Sequence, residues 1–210
     1  MAAQQKKILI FDYGLGNPKS VLNMLKYLDF KSEISGDIEA LKDADIVIIP
    51  GVGHFGEAIA RIRETGADKA LIQHANAGKH LIGICLGMQL LCSHSEEGDS
   101  TGLGLIPGSV KKFPDLGNDL KVPNMGWRNV DIQHTDFSEK YPDSPRFYFT
   151  HSYFVECESK ENVLMETEYG IKYNSAIIKN NIIGFQFHPE KSHAFGAQLF
   201  RNLLKYVHAT

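Results

Sequence analysis

Apolar positions along this chain recur with two different periods. Continuous apolar runs in "KKILIFDY", "DADIVIIP" and "HLIGI" have the character of strands buried on both faces, whereas "PKSVLNMLKYL" repeats Val21, Leu22, Leu25 and Leu28 at helical spacing. Pro18 suits the first turn of that helix, where a missing N–H costs nothing. "KSEIS" reads as a weaker strand, "EAIARIRE", "DKALIQHANAG" and "LGMQLLCSH" as helices. This alternation predicts an α/β fold with a mostly parallel central sheet flanked by helices, and such sheets bind ligands beyond the carboxyl ends of their strands.

The second half changes register. "VKKF", "RFYFTHSYFVEC", "VLMETEY", "GIKYNSAIIK" and "NIIGFQF" are closely spaced strand patterns, with "KNN" as a hairpin turn between the last two, so extra antiparallel strands are expected there. "HSEEGDSTGLG" and "FPDLGNDLKVPN" read as loops. "AFGAQLFRNLLKYVH" is an amphipathic helix with Phe195, Leu199, Phe200, Leu203, Leu204 and Val207 on one face.

Composition narrows the function classes. At 210 residues one domain, residues 1–210, is expected. A formal net charge of -3 lacks the clustered basic excess of a nucleic-acid binder. The apolar run after "MAAQQKK" is too short for a signal-peptide core or a membrane span, which predicts a cytoplasmic protein with no membrane contact. Three cysteines, Cys85, Cys92 and Cys157, with no C-x-x-C pair, argue against a disulfide framework and a structural zinc site, and no metal or cofactor is expected.

The chemistry concentrates in three places. Gly83-Ile84-Cys85-Leu86-Gly87 fits the nucleophile elbow, in which a sharp strand-to-helix turn lifts a reactive side chain above the sheet and flanking glycines avoid collisions across the bend. A thiol there also faces the positive end of the helix, which favours the thiolate. The competing account of Cys85 is a small buried hydrophobe in a tight turn. A thiol nucleophile needs a base, and His188 ends an apolar strand just before Pro189 and Glu190. Two residues apart on extended backbone, His188 and Glu190 would face the same side, the carboxylate orienting the imidazole. The third place is "PGVGHFG": Gly51 and Gly53 flank Val52 and free the backbone to aim N–H groups at an oxyanion, with Leu86 N–H as second donor. Neither this loop nor "GLGN" carries a full dinucleotide or P-loop fingerprint.

"GICLGMQ" with "FHPE" resembles the triad class (class I) of glutamine amidotransferases, which take ammonia from the side chain of glutamine. "DYGLGN", "PGVGHFGEA", "PNMGW" and "THSYF" are similar to one branch, whose members serve as glutaminase subunits beside a (β/α)8 cyclase making imidazole glycerol phosphate in histidine biosynthesis. The resemblance runs from about residue 7 to the C-terminus. It implies Cys85, His188 and Glu190 as the triad, and glutamine bound by Gly53, Gln89, Ser152 and Tyr153. It further implies a heterodimer contact at or near Asn17, Trp127, Tyr148 and Lys191. A partner is also expected because the hydrolase fold consumes nearly the whole chain, leaving no site to accept the nitrogen. Where the branch has histidine and "MGWN", this chain has Asn124 and "MGWR", expected to alter a partner-facing loop with Arg128. A paralogue supplying ammonia for amidation of a surface-polysaccharide sugar would carry the same triad. A stand-alone cysteine hydrolase would share elbow and base without a partner, and a catalytically silent binding module is a third alternative.

Overall fold

The computed structural model describes residues 6–117, 120–141 and 143–209; the chain start read above, up to residue 5, and part of the "FPDLGNDLKVPN" loop lie outside them. The first half runs β1 (Ile8–Phe11), α1 (Pro18–Tyr27), β2 (Ser32–Ser35), α2 (Ile38–Asp43), β3 (Ile46–Gly51), α3 (Phe55–Glu64), α4 (Ala67–Asn76), β4 (His80–Cys85) and α5 (Leu86–Leu90). There follow β5 (Cys92–Ser95), β6 (Ser100–Thr101), β7 (Ile106–Lys112), β8 (Asn124–Asn129), β9 (Asp131–Ile132), β10 (Arg146–His151) and β11 (Tyr153–Cys157). The chain ends with β12 (Val163–Tyr169), β13 (Ile171–Lys179), β14 (Ile182–Phe185) and α6 (His193–Ala209).

The main sheet has the order β2-β1-β3-β4-β14-β13-β11-β7-β5-β6, with β12 and β9 attached beside β13. Strands β2, β1, β3, β4 and β14 are mutually parallel, and the apolar runs of β1, β3, β4 and β14 are buried on both faces. From β13 onward antiparallel pairing takes over, apart from the parallel β5–β7 pair. The strand β14, a late element of the sequence, is thus inserted beside β4, which carries Cys85, in register from Ile182↔Leu81 to Phe185↔Ile84. Apolar side chains fill both faces of the sheet: Ile10, Ile48 and Ile84 on one side pack with Phe187, Leu199 and Leu203, while Leu9, Val47 and Ile49 on the other pack with Phe55, Ile59 and Leu71. The six apolar residues expected on one face of α6 are all buried.

Several elements differ from the sequence-based expectation. The helix expected over "LGMQLLCSH" is one turn, Leu86–Leu90, after which Cys92–Ser95 is strand. "RFYFTHSYFVEC" is broken at Ser152 into β10, which pairs with β8 in a separate two-stranded sheet, and β11, which joins the main sheet. Asn124 and Arg128 lie on strand β8, not in a partner-facing loop, and Asn124 is fully buried. Its amide nitrogen donates to the Tyr173 hydroxyl at 3.1 Å and lies 3.2 Å from His151 Nε2, so an interior polar cluster, not a surface, explains that residue. Arg128 folds back onto its own strand, donating to Trp127 O at 2.8 Å, and its guanidinium lies over the Tyr169 ring.

Candidate active site

Strand β4 delivers Cys85 to the carboxyl edge of the sheet, and the backbone turns there with φ +56° and ψ -112°, a conformation rare for a residue with a side chain. The turn is possible because its neighbours lack side chains. A Cβ on Gly87 would overlap the Ile49 carbonyl oxygen, and one on Gly83 would lie 2.5 Å from the Gly87 carbonyl. α5 is too short for a sustained macrodipole; what it brings to the sulfur are the unpaired N–H groups of its first turn. Cys92 and Cys157 are poor candidates for reactive thiols: burial, with Cys157 adding to it, drives the Cys92 thiol far up, and burial pushes that of Cys157 to about 12.

His188 arrives from just beyond the adjacent strand β14. Beyond β14 the chain bends at Gln186 and Phe187 and reaches His188, whose backbone N–H donates to Tyr148 O at 2.9 Å. Phe187 stacks on Phe147 with centroids 4.0 Å apart, anchoring the residue next to His188. His188 Nδ1 meets Glu190 Oε1 at 2.7 Å, and both side chains are almost wholly buried. The pair does not form by strand alternation as the sequence pattern suggested. Pro189–Lys191 is a 3-10 turn, closed by Lys191 N–H donating to His188 O at 3.0 Å, and the turn brings the carboxylate round to the ring. Ser192, which the sequence did not flag, staples it: its hydroxyl donates to His188 O at 2.6 Å and accepts from Tyr148 N–H at 3.0 Å.

The electrostatics of His188 are a balance. Burial opposes a charged imidazole, but interaction with Cys85 and then with Glu190 outweighs it and lifts the ring to about 9. His188 Nε2 is buried, and the Cys85 sulfur is the neighbour that raises the ring most.

Beside the elbow lies a cavity of about 400 Å³ lined by Val52, Gly53, Cys85, Leu86, Gln89, Glu97, Pro123, Thr150, His151, Ser152 and Tyr153. It gathers most of the residues expected to touch a substrate or an oxyanion. Gly51 stands just outside, paired in register with Cys85; a Cβ there would come within 2.9 Å of Leu86 Cβ, so its lack of side chain lets β3 and α5 close on each other. Glu97, Thr150 and His151 were not legible as site residues. Glu97 comes from the loop after β5 and accepts Phe55 N–H at 2.8 Å, which holds its carboxylate at the cavity.

Of the residues expected at a partner contact, Trp127 is 39% exposed, stacks on His193 at 5.7 Å and meets Tyr148 edge-on. Lys191 is exposed, and Asn17 caps α1 by accepting Ser20 N–H at 3.2 Å, a structural duty that leaves it at the surface. Among the described residues no cluster of three or more His, Cys, Asp or Glu could hold a metal ion, and no helix is long and apolar enough to cross a membrane.

Fold and cluster together are of the class in which a strand-to-helix turn and the end of the neighbouring parallel strand bring a thiol and an imidazole to one edge of the sheet. Within that class, the profile of the family described as "Glutamine amidotransferase class-I" matches residues 9–206, and the chain belongs to this family. Imidazole glycerol phosphate synthase subunit HisH 2 of Methanococcus maripaludis is 44% identical, covering 94% of this chain and 98% of that one. The subunit HisH 2 of Pseudomonas aeruginosa is 41% identical over 95% of this chain and 100% of its own length. A solved glutamine amidotransferase shares the fold with a TM-score of 0.75 at 17% identity, covering 96% of this chain and 98% of the other.

Proposed function

We propose that this chain, as one glutamine amidotransferase domain, is the glutaminase subunit of an imidazole glycerol phosphate synthase, passing ammonia to a (β/α)8 cyclase in the cytoplasm. The observation that carries the reading is the convergence of Cys85, on β4, with the His188–Glu190 pair beyond β14, at the rim of a cavity sized for an amino acid. The cavity chemistry suits glutamine: the Glu97 carboxylate complements an α-ammonium, and Ser152, Tyr153 and Gln89 add polar groups to the lining.

In this reading the Cys85 thiolate adds to the side-chain amide carbon, and the oxyanion is met by N–H groups of Val52 and Leu86. His188, protonated at neutral pH through its partners, gives its proton to the amide nitrogen, the C–N bond breaks and ammonia leaves. A γ-glutamyl thioester remains. Neutral His188 then takes a proton from water as the hydroxide adds, the C–S bond breaks, and glutamate departs with thiolate and imidazolium restored.

A partner is supported by a cluster of exposed apolar side chains on β8, Met125 at 57% and Trp127 at 39%. Of the two departures from the branch pattern, Asn124 turns into the interior, so it does not argue for a different partner. The test is glutamine hydrolysis by the protein assembled with its barrel partner. Cys85→Ala is expected to lose at least about 10³-fold in kcat; turnover surviving that change would refute the reading, and native co-purification identifies the acceptor enzyme.

A further inference from the structure

Gln186 is fully buried one residue beyond the Phe185↔Ile84 register pair, which sets it beside Cys85. Its side-chain nitrogen lies 3.8 Å from the Cys85 sulfur, within reach for a hydrogen bond to an atom as large as sulfur. The direction of that amide is fixed by its neighbours. Tyr153 O is a carbonyl and can only accept, so the Gln89 end that meets it at 3.2 Å is the NH2 group. The same nitrogen lies 3.1 Å from the Gln186 side chain, which must therefore present its oxygen to Gln89 and its NH2 to the sulfur. Turning Gln89 over would set its oxygen against the Tyr153 carbonyl, and turning Gln186 over would set two NH2 groups against each other in a buried site.

We infer that Gln186 is a fourth catalytic residue of this site: its amide donates a hydrogen bond to the Cys85 sulfur, and Gln89, tethered to the Tyr153 carbonyl, holds that amide in the donating orientation. The inference rests on the glutaminase reading for its consequence in turnover, not for its geometry. A hydrogen bond to a thiolate is stronger than one to a thiol, so the contact favours the reactive form. The wall of the cavity at Tyr153 is thereby joined to the nucleophile through two buried amides, and a substrate that presses on that wall acts on the sulfur's donor.

The readout is the rate of alkylation of Cys85 by iodoacetamide as a function of pH, followed on the Cys85 peptide by mass spectrometry in the full chain. His188 and Tyr13 are the other titratable groups acting on the sulfur, and the substitutions leave both in place. Gln186→Met keeps the volume and removes the donor: the profile should move to higher pH by about one unit, with alkylation near pH 6 slowed about 10-fold. Gln89→Met frees the amide to rotate and should move the profile the same way by less. An amide that only packs would lower thermal stability and leave the profile where it was. Superimposable profiles in folded Gln186→Met overturn the proposal; should that variant not fold, an unmoved profile in Gln89→Met does so. Alkylation needs no glutamine, so a wild-type protein that fails to hydrolyse glutamine sinks the glutaminase reading alone.

Discussion

His151 sits in the wall of the cavity, fully desolvated, with Nδ1 donating to Tyr153 O at 2.7 Å and Nε2 facing the Asn124 amide. Burial is the main reason its ring is held down to about 4, with His188 and Arg128 opposing its charge further. The sign follows from the unfolded value near 6.5: below it the unfolded chain binds a proton that the folded chain refuses. Stability should therefore fall as pH drops from about 6.5 to about 4, by up to about 3 kcal/mol from this residue, and level off below. His74 and His80, also lowered by burial, act in the same direction as pH falls, so the check is the difference: urea unfolding of His151→Gln should show a flatter slope over that range. An equal slope would mean that His151 is not neutral inside the fold. At this scale Cys85, His188 and Glu190 were legible because each breaks an apolar or glycine pattern with a reactive group. Gln186 was equally visible in principle, a polar residue inside "IIGFQF" at the same parity as His188. Glu97 and Ser192 were not, since only the closed fold shows what their oxygens touch.

Among elements, the elbow is the one whose geometry leaves least room. Gly87→Ala forces a methyl group into the Ile49 carbonyl and should separate α5 from β3. Overpacking of this kind costs about 1–3 kcal/mol, and a melting temperature lower by roughly 3–10 °C is expected, measured by thermal denaturation. A Gly87→Ala protein melting like wild type would contradict the close approach. The parallel strands were readable because burial on both faces leaves unbroken apolar runs, and α1, α3, α4 and α6 because their apolar stripes recur at helical spacing. Strand β8 was not, and the reason is physical: its pattern is inverted, with polar Asn124 inside and Met125 and Trp127 turned outward. A sequence reading assigns apolar residues to the core, so a strand whose apolar face meets solvent escapes it. The break at Ser152 was hidden for a different reason, because β10 and β11 are both aromatic-rich and only pairing distinguishes their sheets.

For the molecule as a whole, the outward face of β8 with Tyr148 and His193 is where docking should be felt. Trp127→Ala is expected to weaken association with the barrel partner by roughly 30-fold, about 2 kcal/mol, as read by calorimetric titration; an unchanged affinity would remove Trp127 from the contact. The order of the sheet has a consequence for how the protein is made. Strand β4 ends at Cys85, but its neighbour β14 begins only at Ile182, roughly a hundred residues later, so on a ribosome elongating at about 5–20 residues per second the edge of β4 waits on the order of 5–20 s for its mate. During that interval the nascent chain holds a naked apolar strand edge, the kind of template on which neighbouring chains clump, and shielding by a chaperone would matter most then. The sulfur emerges from the tunnel long before its imidazole, so the newborn polypeptide stays chemically idle until the segment bearing His188 has been made.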